Sequence, residues 1–315
     1  MASQGITPSS RPKPPHLGDA INTATRSLHA QLNRNVLHHF PFCLPPHTTN
    51  PSIYASGLLH IAAVYLAFES LWQDLLTNTP SQLPQGPETQ QPRNDRALSV
   101  LRAIHLPALL RSAPLLLDIR SITGWSEAVV RQEIEQVSRT GGHLASFVRH
   151  INAEAAEHPH VLLAYAWVLY MALFAGGRSI RAALESAGEG FWEARCEPLR
   201  PCGRWGTAPL SLGGVGKGRE GVGVVGAAEG GNGEGKERMP LRFFRFEAAE
   251  DGDELRREFK RRVELVEGLL TAEEKEEVVR EARCVFEEMN LLVAQLDGAF
   301  RGLETGADER RSWER

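Results

Sequence analysis

Four groups of residues in this chain have types and spacings that could do chemistry. The stretch "ATRSLHAQLN" (24–33) sets His29 in a helical pattern, at the edge of an apolar stripe that includes Leu28 and Leu32. An imidazole there can hold a metal or a proton, or it can be an ordinary hydrogen-bonded core histidine. Gly176 and Gly177 sit together at the end of the uncharged run "VLLAYAWVLYMALFAGG" (161–177). A glycine costs roughly 1 kcal/mol relative to alanine inside a helix. An adjacent pair therefore marks a kink, a site where something flat approaches the backbone, or close helix packing. Lys260-Arg261-Arg262 is a basic run. It can grip carboxylates by charge-assisted hydrogen bonds or form a solvated helix face. His60, Glu69 and Asp74 share one helical stretch. They are the ligand types of a diiron centre, but they do not form the Glu-x-x-His pattern.

The elements that must position these groups read as helices throughout. Asp19 is a plausible N-cap for a helix to about Leu37, with Ile21, Thr25, Leu28, Leu32 and Val36 at helical spacing. Ser52–Leu76 is apolar nearly all round, which predicts a central helix. A helical region follows at about Arg96–Leu110, then a short connection or broken helix at Ser112–Asp118. An amphipathic stretch runs from Glu127 to Ala156, interrupted by Gly141-Gly142, and a long helix from Pro159 to Ala187. Two strong helices close the chain, the second opened by a Thr271/Glu274 capping box. No strand pattern appears. The expected fold is all-α, a single-domain bundle of about seven or eight helices.

Composition narrows the possibilities. The 315 residues are 42% hydrophobic and 23% charged with a net charge of −4, which argues against a general nucleic-acid binder. Cys43, Cys196, Cys202 and Cys284 form no C-x-x-C pair or zinc spacing, which suits a reducing compartment. Residues 1–17 read as a disordered lead without a secretory core. The domain is expected over 18–315, with flexible insertions at about 77–95 and 203–238. Thirteen of the 33 residues in 203–235 are glycine. That tract contains "GVGVVG" (221–226), a formal G-x-G-x-x-G. No strand precedes it and no helix opens from it, so it is rejected as a nucleotide site. The uncharged run at 161–177 is at the short limit for a membrane span and continues into an amphipathic stretch, so no integral span is expected.

In their order along the chain, three segments resemble the haem oxygenase family. "INTATRSLHAQLN" resembles that family's opening helix, with its A-T-x-x-x-H motif. "YAWVLYMALFAGGRSIRAAL" resembles its distal helix, Y-x-x-Y-L-G-D-L-S-G-G-Q. "FRFE" followed by "DELRREFKRRVELVEGLLTAEEKEEVVREARCVFEEMN" resembles its closing helices, F-P…L-x-x-x-Y-R…L-T-x-x-E…E-A-x-x-x-F. The resemblance covers about 18–76, 127–190 and 243–300. It implies a haem oxygenase-type bundle with His29 as proximal ligand to the haem iron. Gly176 and Gly177 would be the distal-helix glycines and Phe286 a pocket-lining aromatic. Lys260, Arg261 and Arg262 would hold the propionates, and Tyr170 would match the motif's second tyrosine. The implied reaction converts haem, with dioxygen and electrons from a reductase, to biliverdin, iron and carbon monoxide. The charged C-terminal stretch "ETGADERRSWER" has no membrane tail, so the expected setting is the cytoplasm, with membrane association through a partner left open.

The departures from the family pattern fall on chemically important positions. Leu173 stands where the family has the aspartate that organises a water network for proton delivery, and leucine can neither hold water nor pass a proton. Trp167 replaces the motif's first tyrosine, and Arg178 the usual glutamine. Asn22 stands in place of a basic residue and Asn33 in place of a glutamate. These changes keep a second function open, a protein that binds, buffers or senses haem without cleaving it. A third alternative keeps the scaffold for another ligand or for partners alone.

Overall fold

The computed structural model describes residues 15–77, 91–139, 142–194, 196 and 239–313. Most of the N-terminal lead, residues 78–90, Gly141 and the glycine-rich tract with its "GVGVVG" lie outside the described residues. Eleven α-helices and no strand are present among those described: α1 Leu17–His39, α2 Ser52–Thr77, α3 Gln91–Ile104, α4 Ser112–Thr123, α5 Glu127–Arg139, α6 Gly142–Glu157, α7 Leu162–Phe174, α8 Gly176–Ser186, α9 Glu189–Glu193, α10 Asp253–Val266 and α11 Ala272–Trp313. The all-α expectation holds.

Two helices organise the bundle. α2 packs against α4, α5 and α6, and α11 against α1, α6 and α7. α2 buries residues on nearly every side, from Tyr54 to Trp72, as its all-round apolarity requires. It is also the one described single helix long and apolar enough to cross a membrane by length and composition. The stretch at 159–187 is two helices bent by 45°.

Among the described residues eleven α-helices replace the expected seven or eight, the expected helix over Pro159–Ala187 breaks at Ala175, and α3 begins at Gln91, inside the stretch expected as a flexible insertion. Three further boundaries differ from the sequence expectation. α3 ends at Ile104 because Pro107 forces Leu106 into extended backbone (φ −126°, ψ 104°). The expected connection at Ser112–Asp118 is a full helix to Thr123, closed by Gly124 at φ 71°. α1 starts at Leu17, with His16 rather than Asp19 in the cap position. Its first N–H donates to Glu267 Oε2 at 2.7 Å, and Glu267 Oε1 lies 2.7 Å from His16 Nδ1. A carboxylate 250 residues farther along the chain complements the helix dipole. The Thr271/Glu274 capping box forms as its pattern predicts, with both reciprocal bonds in place (2.8 and 3.1 Å).

Glu69 ties three helices together. It is 4% exposed on α2. Its carboxylate accepts the Arg111 and Ser112 N–H groups at the start of α4 (2.8 and 2.9 Å) and the Tyr170 hydroxyl of α7 (3.0 Å). Burial pushes this carboxyl above its ordinary range, and the hydrogen bonds oppose the shift.

Candidate functional site

His29 lies on the seam between α1 and α11. The apolar stripe of α1 places Leu28 and Leu32 against the core, which leaves the His29 ring exposed at the edge of the seam. The ring stands 5.5 Å from that of Phe286, which is buried on α11. No hydrogen bond or ion pair engages the His29 ring among the described residues. The ordinary reading of a hydrogen-bonded core histidine therefore does not describe it. The seam around it is held by polar contacts. Asn290 Nδ2 donates to the Phe286 carbonyl at 2.8 Å and reaches the Leu28 carbonyl at 3.4 Å. Asn35 Nδ2 donates to Asn290 Oδ1 at 3.0 Å. Asn290 thus fixes α1 beside α11 at the residues flanking His29. An asparagine on a closing helix carries no sequence signal for this task.

The glycine pair follows a helix break. Ala175 leaves helical geometry (φ −99°, ψ −94°), ending α7 and opening α8. Gly176 is exposed, and nothing lies within 4 Å of where its Cβ would stand. Gly177 is buried, and a Cβ there would meet Phe244 at 3.4 Å. The pair therefore combines an open backbone surface with close packing one residue later.

Leu173 is 5% exposed and part of the core. Leu173→Asp would bury a carboxylate in that packing. We expect it to destabilise the fold by about 2–4 kcal/mol, measured by urea unfolding. Unchanged stability would mean that the new side chain reaches water. Tyr170 is also buried, its hydroxyl directed to Glu69. Arg178 bonds to Asp253 (3.0 Å), and its neighbour Arg181 forms a bidentate pair with Asp251 (2.8 and 2.7 Å). The backbone at Asp251 is left-handed (φ 52°), an uncommon state for a non-glycine residue. These pairs hold the start of α8 on the turn that leads into α10.

The basic run on α10 divides. Lys260 Nζ lies 5.8 Å from the centre of the Trp167 ring, within cation–π range. Arg261 makes two bonds of 2.8 Å to Glu258. Arg262 also bonds Glu258, and donates to the Ala103 and His105 carbonyls at 3.2 and 3.1 Å. Lys260 alone of the three is directed to the junction of α1, α7 and α10. There Trp167 Nε1 donates to Asn22 Oδ1 (3.1 Å), and the indole covers Gly18 so closely that a Cβ would stand 2.2 Å from a ring carbon. Sequence reading missed Gly18, because a glycine in the first turn of a helix has many ordinary reasons. A cavity opens beside this contact, bordered by Asp19, Asn22, Trp167, Lys260 and Glu264.

His60 and Glu69 do not converge. His60 Nδ1 is bound to the Ser56 carbonyl at 2.8 Å, and Glu69 serves α4 and α7. The chemistry that remains available is an unengaged imidazole over an aromatic wall, a helix with a bare glycine surface, and one lysine at a polar end. Each of these groups has chemistry that suits a haem, and the cavity beside Lys260 is not lined by His29. The imidazole can ligate iron, Phe286 can contact a porphyrin, and Lys260 can meet a propionate.

Comparison with known proteins bears on the fold and the family. The profile of the family described as Heme oxygenase matches residues 88–295, a stretch that holds α7, α8, α10 and most of α11 but begins after α1. The curated heme-binding protein HMX1 of Saccharomyces cerevisiae is 25% identical over 170 residues. That match takes in 53% of this chain and only 49% of the yeast protein. Heme oxygenase 2 from Chlamydomonas reinhardtii, solved without heme, superposes with a TM-score of 0.59 at 14% identity. The superposition covers 89% of this chain and 97% of the algal one. Heme oxygenase-2 from Synechocystis sp. PCC 6803, solved with heme and NO, gives 0.58 at 15% identity, covering 92% and 88%. At such identities the solved structures speak for the fold, while the profile covers well over half of the chain. By fold and by sequence, this chain belongs to the haem oxygenase family.

Proposed function

We propose that the chain binds haem through His29 and cleaves it oxidatively to biliverdin, iron and carbon monoxide, using dioxygen and electrons from a reductase partner. The observation that carries this reading is the exposed, unengaged His29 imidazole against Phe286, in a chain of this family. Haem, when bound, supplies both the iron that handles dioxygen and the ring that is opened. The chain's own residues do the rest. His29 holds one face, and Asn290 keeps its helix in place. The bare backbone at Gly176 leaves room for a flat group, and Lys260 offers the positive charge that fixes a propionate.

A second reading is binding without cleavage, and specific contacts favour it. Leu173 is packed in the core, Tyr170 is committed to Glu69, and Arg178 to Asp253. None of the three is then free to anchor water for proton delivery. One experiment separates the readings. Hemin is added to the protein, and ascorbate or a reductase is supplied under air. A Soret band that gives way to a bilin spectrum supports cleavage. A Soret band that persists supports binding alone. No Soret shift on adding hemin would overturn both.

A further inference from the structure

A second cluster of chemically competent side chains lies on another face of α11. His150 of α6 places Nε2 2.9 Å from Glu281 Oε1 and 3.4 Å from Cys284 Sγ. The three ligand atoms all lie within 4.8 Å of one another. Glu281 and Cys284 are three residues apart, so the helix presents them side by side. We propose that His150, Glu281 and Cys284 bind a zinc ion that clips α6 to α11.

The geometry is close to what zinc requires. With zinc bonds of about 2.0–2.3 Å, a tetrahedral site separates nitrogen from oxygen by about 3.3 Å and nitrogen from sulfur by about 3.6 Å. The observed 2.9 and 3.4 Å fall a few tenths short, a small side-chain adjustment. The donor set of imidazole, thiolate and carboxylate suits zinc rather than magnesium or calcium.

The surroundings supply the remaining parts. The Tyr165 hydroxyl donates to Glu281 Oε1 and orients that carboxylate. Glu281 is buried, and His150 and Cys284 are partly exposed, so an ion can enter. Glu288, one turn beyond Cys284, has Oε2 buried with no hydrogen-bond partner among the described residues. Phe286, which faces His29, is two residues from Cys284 and so points to a different side of α11. The zinc ligands and the His29 site share no residue.

The test uses the reduced, haem-free full chain. Zinc affinity is measured by competition with a chromophoric chelator, and cobalt(II) serves as the spectroscopic probe. The expected results are one high-affinity zinc per chain and a cobalt–thiolate charge-transfer band with tetrahedral d–d bands. Cys284→Ala and His150→Gln should each weaken zinc by more than the roughly 10–100-fold typical of losing an outer-shell partner. Tyr165→Phe should weaken it by about tenfold. His29→Ala should leave it unchanged. Where a variant loses helicity by circular dichroism, protection of Cys284 from alkylation by zinc, mapped by mass spectrometry in the unaltered chain, decides instead. Absence of the cobalt–thiolate band, zinc binding undiminished in a folded Cys284→Ala protein, or alkylation of Cys284 unaffected by zinc would each overturn the proposal.

Discussion

His29→Ala is expected to abolish the Soret shift that hemin produces with the unaltered protein, and to weaken haem at least tenfold, about 1.4 kcal/mol or more. The ring is exposed, no described residue bonds it, and its contact is with Phe286. Removing it therefore leaves no buried group unpaired, and the fold should keep its unfolding midpoint. That separation makes the experiment clean: haem ligation falls while stability stays. Added imidazole should restore part of the spectrum by occupying the vacated position. α1 also carries His38 and His39, and His39 pairs with Asp297 at 2.7 Å. Alanine at either should leave the Soret band intact. An unchanged spectrum in His29→Ala, or a loss confined to the His38 variant, would move the ligand elsewhere on the chain.

Glu69→Ala is expected to produce the largest loss of stability, about 3–5 kcal/mol, because it removes one partner of a buried charge network. The carboxylate accepts two backbone N–H groups at the start of α4 and the Tyr170 hydroxyl. All three donors would be orphaned in the core, and each unsatisfied donor costs about 1–3 kcal/mol. Arg111 would lose its nearby carboxylate as well. Its guanidinium is buried, held by the carbonyls of Ala108, Leu109, Leu110 and Arg245, and it lies 4.4 Å above the Phe246 ring. Burial already lowers the Arg111 pKa, and Glu69 opposes that shift. In thermal unfolding the loss should appear as a drop of roughly 10 °C. Glu69→Gln keeps the size and one acceptor and should cost less. Equal stability of Glu69→Ala and the unaltered chain would show that water replaces the carboxylate, contrary to its burial.

Much of the fold was legible because helix periodicity and punctuation are local. The all-round apolarity of Ser52–Thr77 put α2 at the centre, and the spacing of Thr271 and Glu274 set the start of α11. Prolines and glycines were read less well where two signals competed. Pro107 ended α3 at Ile104 rather than near Leu110, and Ser112–Thr123 forms a helix with Pro114 in its first turn. The second outcome depends on capping, and the cap of α4 comes from Glu69, more than forty residues away.

The candidate site divides in the same way. Sequence alone singled out His29 and the glycine pair by residue type and local pattern, and the family resemblance added Phe286. Only the tertiary structure showed that His29 meets Phe286 and stays unengaged, because that depends on how α1 and α11 lie together around Asn290. Only the tertiary structure divided the basic run. Lys260, Arg261 and Arg262 are adjacent in sequence, yet successive helical residues point about 100° apart, so one lies by Trp167 while the others join Glu258. The same limit hid Gly18 and the group of His150, Glu281 and Cys284. Periodicity assigns a residue to a face of its own helix. Which partner covers that face is set by packing between segments far apart in the chain.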